Sequence, residues 1–208
     1  MSFKSKLSNF WYYHKWHTIL GIIGVCFAVM ISYQMMTKTV YDNEIVIAGN
    51  VPSTLADQPA FADDIRYCFN DTNGDGEINI ATTFVPFGTE INSVTDAEMA
   101  LAYPQQLMAL IAADDADIFI VSEDILIDYG KDKAFADITD LQKQLGLEEK
   151  HYNGIKITDF ELLKELNLYN DVDYYIAVRV HDDLDTMSDK KRIKYENAYA
   201  FLREVVAK

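Results

Sequence analysis

The chain has 208 residues, half of them apolar, and a formal net charge of −15. That apolar share excludes general disorder. The charge argues against a surface for phosphate backbones and so against nucleic-acid binding. The two cysteines, Cys26 and Cys68, lie far apart, and no CxxC pair or Cys/His cluster points to zinc. Charge is unevenly spread. No Asp or Glu occurs before Asp42, and Lys4, Lys6 and Lys15 precede an apolar run. Apart from those three lysines the chain carries 15 basic side chains against 33 acidic ones, a net −18. Solubility alone accounts for such a balance.

Thr18 to Met36 is a stretch without a charged side chain. At about 1.5 Å per residue it is long enough to cross a hydrocarbon core of about 30 Å. Trp11, Tyr12, Tyr13 and Trp16 cluster before it, as amphipathic rings do at the headgroup layer. The residues after Met30 offer no A-x-A cleavage site, and Val25 before Cys26 does not suit a lipoprotein signal. The segment therefore reads as an uncleaved signal anchor. Residues 1–17 form a cytoplasmic basic and aromatic tail, 18–36 the transmembrane anchor, 37–43 a stalk, and 44–208 one extracytoplasmic α/β domain. The expected location is the cell membrane, single-pass, with the N-terminus cytoplasmic and the C-terminal domain outside.

Within the domain, Glu44–Gly49 reads as a buried strand. Asp57 and Pro59 are helix-start residues, with Phe61, Ile65 and Phe69 on one helical face. A second strand is expected over 78–85 and a third over 117–121, the latter apolar enough to be covered on both faces. Three segments have capping-box spacing: Thr95–Glu98, Thr139–Gln142 and Thr158–Glu161. The helix opened by Thr95 is expected to kink at Pro104. Ser122 is placed to cap a short helix that stops at Gly130. Val172, Tyr174, Ile176, Val178 and Val180 alternate as a fourth strand, and a last helix spans 189–206. This order predicts an α/β fold: a mostly parallel sheet with helices on both faces, preceded by one transmembrane helix.

The sharpest motif is Asp71-Thr72-Asn73-Gly74-Asp75-Gly76-Glu77-Ile78-Asn79. Oxygen-bearing side chains recur at Asp71, Asn73 and Asp75. Gly76 allows a sharp turn, Glu77 offers its carbonyl, and Asn79 reaches directly or through water. The run resembles the first nine positions of an EF-hand or dockerin calcium loop. The twelfth position holds Thr82 where a bidentate Glu is expected. A calcium ion at this loop would be structural, and a metal-free Asx turn is the plainer alternative. His181, followed by Asp182 and Asp183, reads as a solvated loop. Asp114, Asp115 and Asp117 read as a solvated acidic turn. Tyr174 and Tyr175 fall on opposite faces of one strand. No pair or triad assembles a catalytic set.

The order of elements resembles one lobe of the two-lobed extracellular solute-binding proteins of ABC importers, a periplasmic-binding-protein fold. The residues that carry it are the strand Ile45–Gly49, the helix ending at the Asp71 turn, the strand 78–86, the helix 104–113, Asp117–Val121, and Phe135-Ala136-Asp137-Ile138-Thr139-Asp140-Leu141. Asn9–His17 and Gln106-Leu107-Met108-Ala109 are also similar to segments of a group of membrane-anchored proteins of gut clostridia. Two-lobed binders hold ligand between lobes, and only one lobe's length is present. The resemblance implies a membrane-tethered, non-catalytic binding or interaction module working with a membrane or cell-surface protein partner. The alternatives are a solute receptor whose cleft is completed by oligomerisation and a cell-surface hydrolase.

Overall fold

The computed structural model describes residues 3–37, 39–50, 60–87, 94–114, 116–148, 150–157, 172–181 and 186–207. The chain forms two compact units, Met1–Val40 and Tyr41–Lys208. The first is one helix, α1 (Phe3–Thr37), of 35 residues. Its stretch Phe10–Met36 is long and apolar enough to cross a membrane. The helix starts well before the expected anchor at 18, so the aromatic cluster 11–16 continues the same helix.

The second unit is an α/β domain. Its elements are β1 (Asn43–Gly49), α2 (Ala60–Ile65) followed by a 3-10 turn (Arg66–Cys68), β2 (Ile80–Pro86), α3 (Val94–Ala113) and β3 (Ile118–Ser122). Then come α4 (Glu123–Lys131), α5 (Thr139–Gln144), β4 (Ile155–Lys156), β5 (Tyr174–Val178) and α6 (Asp189–Ala207). The five strands form one sheet in the order β2-β1-β3-β5-β4. β1 pairs in parallel with β2 and β3, placing Ile45 opposite Thr82 and Ile118. β5 runs antiparallel to both β3 and β4. The sheet is therefore mixed, which corrects the expectation of a mostly parallel one. Alternation and apolarity say that a segment is a strand, not from which end the chain enters it.

Successive strand residues point to opposite faces. Ile45, Ile47, Ile118, Ile120, Tyr174, Ile176 and Val178 join one buried cluster with Phe201, Leu202 and Val205 of α6. Val46, Ala48, Phe119, Val121, Tyr175 and Ala177 join another with Leu107 of α3 and Ile125 and Leu126 of α4. The split of Tyr174 from Tyr175 is as their spacing predicts. Gly49 closes β1 because its φ of 152° and the Tyr174 ring leave no room for a side chain; an added Cβ would lie 2.7 Å from that ring.

Pro104 lies inside α3, in the helix where the sequence placed it. Other local expectations change. The second expected capping box does not form. The Thr139 hydroxyl donates to Asp137 Oδ1, and the Gln142 amide donates to the carbonyls of His151 and Gly154. Ser122 occupies the cap position of α4 without a side-chain cap bond. The box at Thr158–Glu161 and the start signals Asp57 and Pro59 lie outside the described residues.

Candidate functional site

The acidic loop joins the 3-10 turn to β2 and folds as a chain of Asx turns. Asp71 Oδ1 accepts the amides of Asn73 and Gly74, and its Oδ2 accepts that of Gly76 at 2.8 Å. Asn73 Oδ1 accepts the amide of Asp75, and Asp75 Oδ1 that of Glu77. Gly74 and Gly76 have φ of 77° and 84°, which explains glycine at both. The amides of Gly76 and Gly74 hold the Asp71 carboxyl below its ordinary value. Thr82, the twelfth position, lies inside β2, paired with Ile45.

A carboxylate from elsewhere does reach the loop. Buried Asp42 takes the amide and hydroxyl of Thr72 on Oδ1 and the amide of Asn79 on Oδ2. Its own amide donates to the Asn79 carbonyl. Asp42 thus ties both ends of the loop to the start of β1. The donor chemistry of Asp71, Asn73, Asp75, the Glu77 carbonyl and Asn79 is hard oxygen, which suits calcium. The side-chain oxygens of Asp71, Asn73 and Asp75 are turned to the loop's own amides, and Asn73 Nδ2 is a buried donor without a partner. Among the described residues no three His, Cys, Asp or Glu side chains converge on one metal position.

The second assembly lies where α3 ends and β3 begins, beside the end of β5. His181 Nε2 sits 2.8 Å from Asp117 Oδ1. Arg179 donates to Asp117 at 3.3 Å and to Asp114, which also pairs with Lys191 of α6. The Tyr195 ring meets the His181 ring edge-on at 5.1 Å, and its hydroxyl is bonded to that of Tyr199. The side chains of Asp117 and His181 are only 5% and 9% exposed. Burial pushes the Asp117 carboxyl up, and the hydrogen bond with His181 pulls against it. Neither Asp117 nor His181 is solvated, as the sequence reading had it; the fold buries them together. Asp115, Asp182 and Asp183 lie outside the described residues. Sequence reasoning missed Arg179. Its one signal is phase: it follows Tyr175 and Ala177 on a buried face, where a cation requires partners.

At the opposite end of β3, Glu123 accepts from Lys150 at 2.6 Å and faces His151 Nε2 at 2.9 Å. His151 and then Lys150 hold its carboxyl down to about 2. The Tyr174 hydroxyl donates to the Asn50 carbonyl at 2.7 Å, closing β1 against β5.

One helix carries more apolar surface than the fold uses. In α3, Leu107 is fully buried, yet Leu101 is 74% and Met108 61% exposed. Leu101, Gln105, Met108 and Ala112 recur at helical spacing along one exposed face. No family model, curated protein or solved structure matches this chain.

Proposed function

We propose that the chain is a membrane-tethered, extracytoplasmic interaction module: one α/β lobe like that of a solute-binding protein, non-catalytic, and docked to a membrane or cell-surface protein. The observation that carries this reading is the uncovered apolar face of α3. Covering apolar surface is favourable by roughly 25 cal/mol per Å², and a contiguous exposed patch marks an interaction site. Membership of α3 and α4 residues in one core cluster and of α6 residues in the other supports helices on both faces of the sheet. The anchor supports the tether. Lys4, Lys6 and Lys15 before it favour a cytoplasmic N-terminus.

A photoreactive side chain at Leu101, in intact membranes, tests the docking face, with one at exposed Lys143 as control. The expected result is a discrete crosslinked protein band from position 101 alone. Equal crosslinking from both positions, or none from 101, overturns the reading. Topology is tested with a cysteine in place of Lys143, because Cys68 is buried. An impermeant thiol reagent should label it on intact cells; labelling only after lysis reverses the orientation. The acidic loop enters this reading as a structural calcium site formed by Asp71, Asn73, Asp75, Glu77 and Asn79, outside any chemistry.

A further inference from the structure

The uncovered face of α3 has a second property that bears on what covers it. From Met99 to Ala113 the helix carries no charged side chain. These fifteen residues are the longest uncharged stretch after the anchor, in a chain where, beyond Lys15, 33 acidic side chains stand against 15 basic ones. A solvated helix face ordinarily carries charge. Here Leu101, Ala102, Gln105, Met108, Ala109 and Ala112 are all exposed.

The missing charge discriminates between occupants. Helices that lie on a lipid surface present Lys and Arg to the headgroups, and α3 has neither over this stretch. A basic foreign protein would be recognised through acidic groups at the contact, and this face has none. A second copy has the opposite requirement. Two chains with the same acidic excess repel wherever their charges meet. They approach most easily across a face that both leave uncharged.

The face also fits itself. Leu101, Gln105, Met108 and Ala112 are spaced four, three and four residues apart, the alternation of a two-helix seam. In antiparallel order, about a two-fold axis between residues 106 and 107, Leu101 lies against the small Ala112 of the copy and Gln105 against its Met108. A two-fold contact needs one self-complementary patch of this kind. The Gln105 amides lie near the axis, and each supplies both donor and acceptor. Ala102 and Ala109 flank the seam and let the helices close to about 8 Å. The seam is only about 17 Å long, too short to bury the roughly 800 Å² per partner of a stable soluble dimer. Anchors in one bilayer offset this by holding copies at high effective concentration.

We propose that α3 is a self-association face, on which a second copy of this chain docks through Leu101, Gln105, Met108 and Ala112 as an antiparallel helix pair. The inference rests on the docking reading above and names its partner.

Two differently tagged full-length copies, co-expressed in membranes with the photoreactive side chain at Leu101, test it. The expected product is a band of twice the chain's mass that carries both tags. A band containing a foreign protein instead would leave the docking reading intact and overturn this one; no discrete band would overturn both. Exposed Gln105 gives a second measurement that does not disturb the core. Gln105→Lys or Gln105→Glu alone should lower the two-tag band at least about fivefold, because like charges then meet near the axis. The two variants co-expressed should restore it, and a mixed pair no better than either variant alone would overturn the proposal. Raising salt from about 0.05 to about 0.5 M should strengthen the two-tag band, since screening relieves repulsion between like-charged copies. A two-tag band that weakens with salt would point to paired opposite charges and overturn the uncharged seam.

Discussion

Two acidic turns of this domain look alike in sequence and end up physically opposite. The first, Asp71 to Asn79, lies largely at the surface and turns the side-chain oxygens of Asp71, Asn73 and Asp75 to its own amides. The second, Asp114 to Asp117, is drawn into a cluster with Arg179, His181 and Lys191, all from much later in the chain. The carboxyl of Asp71 is pushed down by backbone amides, and that of Asp117 is pushed up by burial. A turn with Asx residues at alternate positions caps its own amides, so its internal conformation is local and only its ends, held by Asp42, depend on the fold. A turn whose carboxylates enter the core needs cations from other elements, so its state is set by the tertiary fold.

The largest effect should come from the second region. Arg179→Met removes the cation beside buried Asp117 and strands its charge. Breaking such a pair costs about 3–5 kcal/mol, so melting should fall by on the order of 10 °C for a domain of this size. A fall of under about 3 °C would mean that His181 alone compensates Asp117, and the contrast between the two turns would narrow. Asp42→Ala tests where the first region depends on the fold. It leaves the amides of Thr72 and Asn79 without their acceptor inside the protein, at about 3 kcal/mol. Its effect should be second in size, and larger than that of any loop carboxylate.

Asp71→Ala combined with Asp75→Ala should cost less than Asp42→Ala, because water replaces acceptors at an exposed turn. The same pair tests calcium. Saturation at ten times Kd adds about 1.4 kcal/mol, or roughly 3–5 °C of melting temperature. That gain should vanish in the double variant. Equal melting of the unaltered protein in calcium and in chelator would make the loop a metal-free turn.

The smallest effect is a pH dependence. The folded Glu123 carboxyl sits at about 2, below its ordinary 4.5. A depressed acid contributes stability that is present above the unfolded value and lost as pH falls through the folded one. Glu123→Gln should therefore flatten the acid limb of the stability curve between about pH 4.5 and 2, lowering stability modestly at neutral pH and leaving it nearly unchanged at the acid end. An acid limb of unaltered slope would assign that window to Asp71 and Asp137, whose carboxyls are also held down by hydrogen bonds.

What the sequence determined by itself follows from local or one-dimensional signals. The uncharged run from Thr18 to Met36 is a long apolar helix whatever surrounds it. Apolar runs at 45–48 and 118–121 are interior strands because no other arrangement hides them on both faces. Alternation separates Tyr174 from Tyr175. Gly74 and Gly76 mark a turn because their backbone needs positive φ. The tertiary structure alone decided the rest. The antiparallel course of β5 depends on where the chain re-enters the sheet, and the short β4 carries too little sequence for a pattern. Gln142 left its expected capping role because the carbonyls of His151 and buried Gly154 compete for its amide. Asp42 and Arg179 matter through partners distant in sequence, and no local spacing encodes such a meeting. Buried polar groups must find partners wherever the fold brings them, so the long-range ones become legible only once the chain has closed on itself.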